Sequence, residues 1–216
     1  FRVVLNGIDP AWISRADPAA AASLRASLLG GGRRLVGGVF RLADEKQPLM
    51  WLEVARRTVT ACPGTVFFHA GDGALADDFA RAGDDLVRAG SLRILGRRED
   101  VPALLSASDA LLHAARHEGT PNVLLEAAHL GCPVVATPAG GSPDAVEEGV
   151  TGFLRDPSDA DGLCASLVEL LQDEARRAQA AAAGPRLVSR RFSLDGMVRE
   201  TLACYPFLGI APSARA

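Results

Sequence analysis

The chain has 216 residues, of which 48% are hydrophobic and 23% charged, a composition that excludes a wholly disordered protein. Its length fits one α/β domain or one half of a larger enzyme. No apolar run approaches the roughly 20 residues that a membrane-spanning helix needs. The net charge of −3 excludes a general basic field for nucleic acid or an anionic membrane, so any anion site must be local.

Short apolar segments alternate with longer helical segments along most of the chain. The pattern predicts an α/β fold, a Rossmann-like parallel sheet flanked by helices. The predicted strands cover residues 34–40, 65–70, 91–95, 110–114, 133–137 and 152–154. The predicted helices cover residues 16–29, 48–62, 75–88, 101–107, 122–130, 160–171 and 174–191, and a last helix runs from an N-cap at Ser193 to about Cys204.

The predicted organisation is a single domain with a core over residues 34–172. A linker segment with a helix precedes the core (1–33), and C-terminal helices follow it (173–216), with a frayed tail from Pro206. The chain begins at Phe1 without a signal-peptide pattern, so we expect it to be cut from a longer protein. The four cysteines lack metal-site spacing, and we expect buried free thiols in a reducing cytoplasm.

A pair of cations follows the first predicted strand. Gly38 and the glycine before it lie within the strand, and Arg41 and Lys46, the only lysine, come after it. Parallel sheets bind ligands outside the carboxyl ends of their strands, and glycine lets a ligand approach the backbone closely. An arginine fork and a lysine point charge together suit a diphosphate. Because two acidic residues stand between the cations, an exposed loop of mixed charge is the alternative.

A second candidate site lies where the helix over residues 122–130 begins. With Thr120 as N-cap and Pro121 as the first helical residue, the preceding loop meets the helix dipole and its free N–H groups, which suit an anion. Glu118 and Glu126 are eight residues apart, and carboxylates accept hydrogen bonds from paired sugar hydroxyls. One could hold a ribose and the other a transferred sugar. The alternatives are an acid favoured by the dipole and a solvent-facing helical glutamate.

Two more loops follow predicted strands. Residues 71–76 (GDGALA) match the dinucleotide fingerprint G-x-G-x-x-A, but after the second strand instead of the first. We interpret them as a tight turn and keep a nicotinamide enzyme as the less favoured alternative. Residues 96–100 (GRRED) follow a predicted strand, so Arg97 or Arg98 is a candidate to face a nucleotide base or phosphate; the alternative is surface arginines beside Glu99 and Asp100. His69 and His113 lie in apolar strands and are interpreted as core residues, whereas His117 adjoins Glu118.

Several stretches resemble the carboxyl-terminal domain of retaining glycosyltransferases of family 4, which have the two-domain GT-B architecture. They cover nearly the whole chain: NGID (6–9), VFRLADEK (39–46), HAGDG (69–73), LGRREDV (95–101), ASD (107–109), RHEGTPNVLLEAAHLGCPVVATPAGG (116–141), EEGVTGFL (147–154) and RRFSLDGM (190–197). Glu118 and Glu126 match the family's E-x₇-E motif, which is specific only in these surroundings.

The resemblance implies transfer of a sugar from a nucleotide diphosphate sugar, UDP- or GDP-linked. Because two cations and a helix dipole would already neutralise the leaving diphosphate, we expect no metal or other cofactor. It implies that Arg41 and Lys46 hold the diphosphate, that Glu118 contacts the donor sugar and that Glu126 contacts the ribose. We therefore take Arg41, Lys46 and Glu118 as candidate catalytic residues. The candidate donor-binding residues are Gly38, Arg97, Gly119, Thr120, Pro121, Asn122, Val123 and Glu126.

The chain departs from the family pattern in two places. Phe40 stands where a small residue is usual, and Ala114 and Ala115 replace the usual serine or proline. GT-B enzymes also carry an amino-terminal acceptor domain, so the resemblance implies that this chain is the donor-binding half and is inactive alone. We expect a nucleotide sugar and the acceptor domain as partners, but no nucleic acid and no membrane span. A non-catalytic nucleotide-sugar-binding subunit that needs a partner chain is the alternative.

Overall fold

A six-stranded parallel sheet forms the centre of the computed structural model, which describes residues 3–13 and 17–205. The strands are β1 (Arg34–Val39), β2 (Thr65–Ala70), β3 (Leu92–Ile94), β4 (Ala110–His113), β5 (Val134–Ala136) and β6 (Gly152–Leu154). They lie in the order β3-β2-β1-β4-β5-β6, and every neighbouring pair is parallel. This is the strand order of a Rossmann fold, so the predicted α/β class is confirmed.

Helices cover both faces of the sheet. They are α1 (Pro10–Ile13), α2 (Pro18–Leu29), α3 (Pro48–Ala61), α4 (Ala76–Ala82), α5 (Asp84–Arg88), α6 (Val101–Ser106), α7 (Asn122–His129), α8 (Ser142–Ala145), α9 (Ala160–Gln172), α10 (Glu174–Arg191) and α11 (Leu194–Ala203). Side chains of α3, α4, α5 and α9 pack into the core on one face, and those of α2, α6, α7 and α10 pack on the other. Most strand residues are apolar because both faces of the sheet are covered, except in the edge strand β3, where Arg93 is partly buried and Ile94 is exposed.

Trp51 of α3 packs on the sheet beside the end of β1. Its ring lies against Gly38, where an added Cβ would come within 2.5 Å of the indole. The indole Nε1 donates a hydrogen bond to Leu112 O of β4 at 3.2 Å. Packing against Trp51 therefore accounts for a glycine at position 38, and contact of Gly38 with a donor stays a prediction.

Most predicted elements agree with the structure to within one residue at each end. The helix predicted over residues 75–88 is instead two helices, α4 and α5, which break at Gly83. An added Cβ on Gly83 would lie 3.0 Å from Leu92 and 3.2 Å from Leu52, so these two side chains would have to shift slightly to admit a larger residue. The helix predicted from residue 16 begins at Pro18, with Asp17 as N-cap.

Two short helices were not predicted, and two predicted features lie where the structure is not described. The unpredicted helices α1 and α8 have four residues each, too few to show a helical period. Residue 16 and the tail from Pro206 lie outside the described residues.

The four cysteines are free thiols. Cys132 and Cys164 are buried as predicted, but Cys62 is only partly buried and Cys204 is exposed. Cys204 follows α11, a helix with no buried residue, so burial was the wrong prediction there. Within residues 3–13 and 17–205, no helix has both the length and the apolar character needed to cross a membrane.

Candidate functional site

A cleft of about 240 Å³ opens at the carboxyl ends of β1 and β4. These strands flank the point where the strand order reverses, and open α/β sheets bind ligands in that crevice. The cleft is lined by Val39, Phe40, Arg41, Lys46, His113, Glu118, Thr120, Pro121, Asn122 and Val123. The structure therefore brings together the two sequence motifs that carry the cations and the first glutamate.

Glu118 is the centre of a charged cluster in this cleft. Its Oε1 accepts hydrogen bonds from Lys46 Nζ at 2.5 Å and from His113 Nε2 at 2.6 Å. The Glu118 side chain is 8% exposed, and that of Lys46 is 18% exposed. Burial alone would raise the pKa of Glu118, but the hydrogen bonds from His113 and Lys46, together with the charge of Lys46, outweigh burial and hold this pKa below its ordinary value. Glu118 is therefore an ionised carboxylate at neutral pH.

Gln47 fixes the position of Lys46. It has φ 48°, and within the described residues it is the only non-glycine with positive φ. In the amide orientation that satisfies both of its polar atoms, Gln47 donates to Ala114 O at 3.0 Å and accepts from Arg116 Nε at 2.9 Å. Arg116 N also donates to Glu45 O at 2.8 Å. These bonds between the two loops hold a strained backbone in place, as is common at functional sites.

A glycine pair supports the loop of Glu118 from behind. Gly141 N donates to Gly119 O at 2.6 Å. Gly140 has φ +52°, and an added Cβ there would lie 2.0 Å from Glu118 O. Only glycine fits this contact.

Arg41 lies at the rim of the cleft. Its side chain is 69% exposed, and its Nη2 donates to Glu45 Oε1 at 2.5 Å. Arg41 thus has the features of both alternatives: it pairs with an acidic residue in an exposed loop of mixed charge, and it also lines the cleft.

The turn after β2 supports the loop that carries Arg41. An added Cβ on Gly71 would lie 2.0 Å from Phe40 O, and one on Gly73 would lie 2.4 Å from Leu42 O. Leu42 N donates to Asp72 O at 3.0 Å. The GDG glycines thus allow close packing of two loops, which supports their interpretation as a tight turn.

Arg97 lines a neighbouring cleft of about 390 Å³. Val39, Phe40 and Arg41 line both clefts, so a long ligand can extend from one into the other. Arg97 is exposed there, whereas Arg98 pairs with Asp100 at 2.7 Å.

The start of α7 differs by one residue from our prediction. Pro121 has extended ψ 105° and is the N-cap, so Asn122, and not Pro121, is the first helical residue. Thr120 is not the N-cap but still lines the cleft. Among the described residues, Leu124 N donates to Pro121 O at 3.1 Å, whereas the N–H groups of Asn122 and Val123 have no backbone partner and are available to an anion.

Four predicted donor-binding residues do not line this cleft: Arg97, which lines the neighbouring one, and Gly38, Gly119 and Glu126. Gly119 is exposed and bonds to Gly141. Glu126 lies in the second turn of α7, and burial raises its pKa. Within the described part of the chain, its carboxylate makes no hydrogen bond or ion pair.

His113 is the site residue that our sequence reasoning missed. It is buried, as expected of a core residue, yet its Nε2 reaches Glu118. The available signal was its place at the carboxyl end of β4, beside the reversal of strand order. His117, which the sequence favoured, is exposed and does not line the cleft.

His69 of β2 is a buried histidine that supports the rim. Its Nε2 donates to Phe40 O at 3.0 Å, and its ring packs against Phe40 and Phe79. Burial, opposed by the bond to Phe40, lowers the pKa of His69 from 6.5 to about 4. His69 is therefore neutral in the folded protein at pH 7.

This shift predicts a loss of stability in mild acid. The unfolded chain binds the His69 proton near pH 6.5 and the folded chain only near pH 4, so stability is full above pH 6.5 and falls as pH drops towards 4. The expected loss is about 3 kcal/mol. Urea unfolding of the wild-type chain and of His69→Gln, whose amide can donate to Phe40 O, measures it. Equal pH slopes in the two proteins would refute the assignment, since all other titrations are shared.

In residues 3–13 and 17–205, no group of three or more histidine, cysteine, aspartate or glutamate side chains could hold a metal ion.

The fold and the cleft together define an α/β domain with a cleft at the carboxyl edge of its sheet, lined by Arg41, Lys46 and the amino terminus of α7. The chain belongs to the glycosyl transferases group 1 family, whose sequence model matches residues 33–173. The related solved structures have the GT-B fold.

Three relatives show the extent of the similarity. The chain is 32% identical, over 79% of its length, to the Vi polysaccharide biosynthesis protein VipC/TviE of Salmonella typhi, and it covers 31% of that protein. It is 31% identical, over 80% of its length, to the UDP-Gal:alpha-D-GlcNAc-diphosphoundecaprenol alpha-1,3-galactosyltransferase of Escherichia coli, and it covers 45% of that enzyme. It matches Anabaena Alr3699/HepE, solved in complex with UDP, with a TM-score of 0.83 and 26% identity, over 94% of this chain and 57% of the other. The chain thus spans less than half of these two curated relatives.

Proposed function

We propose that this chain is the donor-binding half of a retaining family 4 glycosyltransferase, which moves a sugar from a nucleotide diphosphate sugar to an acceptor. The observation that carries the proposal is the meeting of Lys46, Glu118 and the amino terminus of α7 in one cleft where the strand order reverses. A cation and a helix terminus suit a diphosphate, and a carboxylate suits sugar hydroxyls. HepE, the neighbour at 26% identity, has been solved with UDP and with UDP-glucose.

In this proposal, the chain stabilises the leaving group. Arg41, Lys46 and the first N–H groups of α7 face the diphosphate, whose negative charge grows as the bond to the sugar breaks. Glu118 accepts hydrogen bonds from hydroxyls of the sugar. Arg97, in the neighbouring cleft, faces the nucleoside end of the donor. Retention at the anomeric carbon requires the acceptor to attack from the face that the diphosphate leaves.

The acceptor side of the reaction belongs to another domain in this proposal. The chain spans 57% of HepE and smaller shares of its curated relatives, so we propose that an amino-terminal acceptor domain completes the cleft and that the chain alone is inactive. A non-catalytic donor-binding subunit is the second candidate, and sugar transfer after adding an acceptor domain distinguishes the two. The free thiols are consistent with a cytoplasmic setting.

A thermal-shift panel with UDP, GDP, ADP and NAD, with and without a chelator, tests the proposal. A ligand that binds only the folded chain raises its apparent stability. We expect one nucleoside diphosphate to raise the melting temperature equally with and without chelator, because Arg41, Lys46 and α7 already supply positive charge. A shift with NAD alone would contradict the proposal, and a shift abolished by chelator would refute its metal-free form.

Glu126 is expected to recognise the ribose. Glu126→Gln should weaken binding of the nucleoside diphosphate about tenfold, because the amide oxygen accepts a weaker hydrogen bond than a carboxylate, and should leave the 2′,3′-dideoxy analogue unaffected. Burial raises the pKa of Glu126, so the affinity of the wild type should fall as the pH drops through that pKa. The variant cannot take up this proton, so its affinity should lack this part of the pH dependence. Calorimetric titrations at pH 7.5 and pH 5 measure both effects. Equal losses for the two ligands would place Glu126 elsewhere.

A further inference from the structure

We propose that His113 is a positioning residue for recognition of the donor sugar: it holds Glu118 in place when the diphosphate draws Lys46 away. This inference rests on the proposed function. It concerns a histidine that lies in the cleft but contacts neither the diphosphate nor the sugar in that proposal.

Lys46 has two competing roles in the cleft. Its Nζ bonds to Glu118 Oε1 at 2.5 Å, yet it is also the cation placed to meet a diphosphate. A diphosphate carries more negative charge than one carboxylate, so it competes for this ammonium. When Lys46 turns to the diphosphate, Glu118 loses one of its two partners. The Glu118 carboxylate is only 8% exposed, so keeping it charged and buried then costs free energy unless another hydrogen-bond donor remains.

His113 is the donor that remains. Its Nε2 lies 2.6 Å from Glu118 Oε1, and its side chain is 3% exposed. Its Nδ1 is buried and has no hydrogen-bond partner among the described residues. A proton on Nδ1 would be an unsatisfied buried donor, so the favoured tautomer carries its proton on Nε2 and donates it to Glu118.

The histidine also ties the carboxylate to the rigid part of the fold. His113 is the last residue of β4 and pairs in register with Ala136 of β5. Lys46, by contrast, belongs to a short 3₁₀ turn. Because the sheet holds His113, its hydrogen bond to Glu118 stays in place when the side chain of Lys46 moves.

The two oxygens of Glu118 therefore have different roles. Both hydrogen bonds go to Oε1, and within the described residues Oε2 accepts none. Oε2 is left to accept a hydrogen bond from a sugar hydroxyl. By holding Oε1, His113 fixes the orientation of the carboxylate and hence the direction in which Oε2 points. Loss of His113 should consequently weaken recognition of the sugar more than recognition of the diphosphate.

The test compares His113→Leu with His113→Gln in the 216-residue chain. A panel of UDP-glucose, UDP-galactose and GDP-mannose identifies a sugar nucleotide that the wild type binds, and its dissociation constant is divided by that of the parent nucleoside diphosphate. We expect this ratio to rise about tenfold in His113→Leu, which cannot donate to Glu118. It should stay within about twofold of wild type in His113→Gln, whose amide places a donor near the same point.

Each outcome of the titrations decides the inference. An unchanged ratio in His113→Leu, or equal increases in both variants, would overturn the role of His113 and leave the proposed function standing. A wild-type chain that binds none of these ligands would overturn both.

A second measurement does not depend on the folding of a His113 variant. In nuclear magnetic resonance spectra, the Nε2 proton of His113 should appear strongly downfield, shift in Glu118→Gln, and persist when the nucleoside diphosphate is added. Its loss on addition of the ligand would contradict the inference, because the bond to Glu118 would then break together with that of Lys46.

Discussion

Lys46→Met is expected to weaken binding of the nucleoside diphosphate about 100-fold and to leave binding of the free nucleoside unchanged. Methionine keeps the length of the side chain but removes the charge. Lys46 is 18% exposed, so its bond to phosphate forms largely out of water, where charge-assisted hydrogen bonds are strong. The loss also leaves Glu118 with an uncompensated negative charge beside the phosphate. Calorimetric titration of both ligands measures the difference.

Two further variants serve as controls for Lys46→Met. Arg41→Ala should have a smaller effect in the same direction, because Arg41 is 69% exposed and already paired with Glu45. Arg88→Ala removes an arginine that is 78% exposed and paired with Asp84 on α5, and it should leave affinity unchanged. Equal losses for nucleoside and nucleoside diphosphate in Lys46→Met would contradict the assignment of Lys46 to the phosphates.

Gly140→Ala is expected to destabilise the fold and to abolish measurable nucleotide binding. The new Cβ would lie 2.0 Å from Glu118 O, so the loop that carries Glu118 must move. The left-handed backbone costs about 1 kcal/mol for any residue other than glycine. Overpacking adds about 1–3 kcal/mol to the loss of unfolding free energy. Urea unfolding measures the stability, and titration with the nucleoside diphosphate measures the site.

Gly149→Ala is the matched control for this change. Gly149 has φ +72°, but an added Cβ there meets no atom within 4 Å. It should therefore show the backbone cost alone and bind nucleotide normally. If both variants lost the same stability and both bound nucleotide, contact of Gly140 with the Glu118 loop would not be what supports the site.

The strands and most helices could be predicted because their local patterns are strong. The segment TVFFHA, apolar on both faces, coincides with β2 to the residue. The stripe of Leu163, Leu167, Leu170 and Leu171 is buried along α9 as its spacing indicated. In both segments, the spacing of apolar residues along the sequence shows which side of the element faces the core.

Features that depend on contacts between distant segments could not be predicted. Gly38 is a glycine because a Cβ there would come within 2.5 Å of the indole of Trp51, and Trp51 belongs to a helix and not to the strand that carries Gly38. The left-handed backbone of Gln47 is likewise held by bonds to Ala114 and Arg116 in another loop.

The site was predictable in its location but not in its internal bonding. Arg41, Lys46 and Glu118 follow strands of a parallel sheet, and strand ends share one edge, so their convergence was expected. The bond between Lys46 and Glu118 and the contribution of His113 were not, because an apolar strand context favours a core role for a histidine. A histidine as the last residue of a strand beside the reversal point is the signal to weigh in such sequences.

The most direct test of the central claim is a crystal structure of the chain with the nucleoside diphosphate that stabilises it. We expect the β-phosphate within hydrogen-bond distance of Lys46 Nζ and of the first N–H groups of α7, with the nucleoside extending towards Arg97. We also expect His113 Nε2 to remain bonded to Glu118. Density for the diphosphate anywhere other than the cleft between β1 and β4, away from Lys46 and the amino terminus of α7, would contradict the assignment of this site.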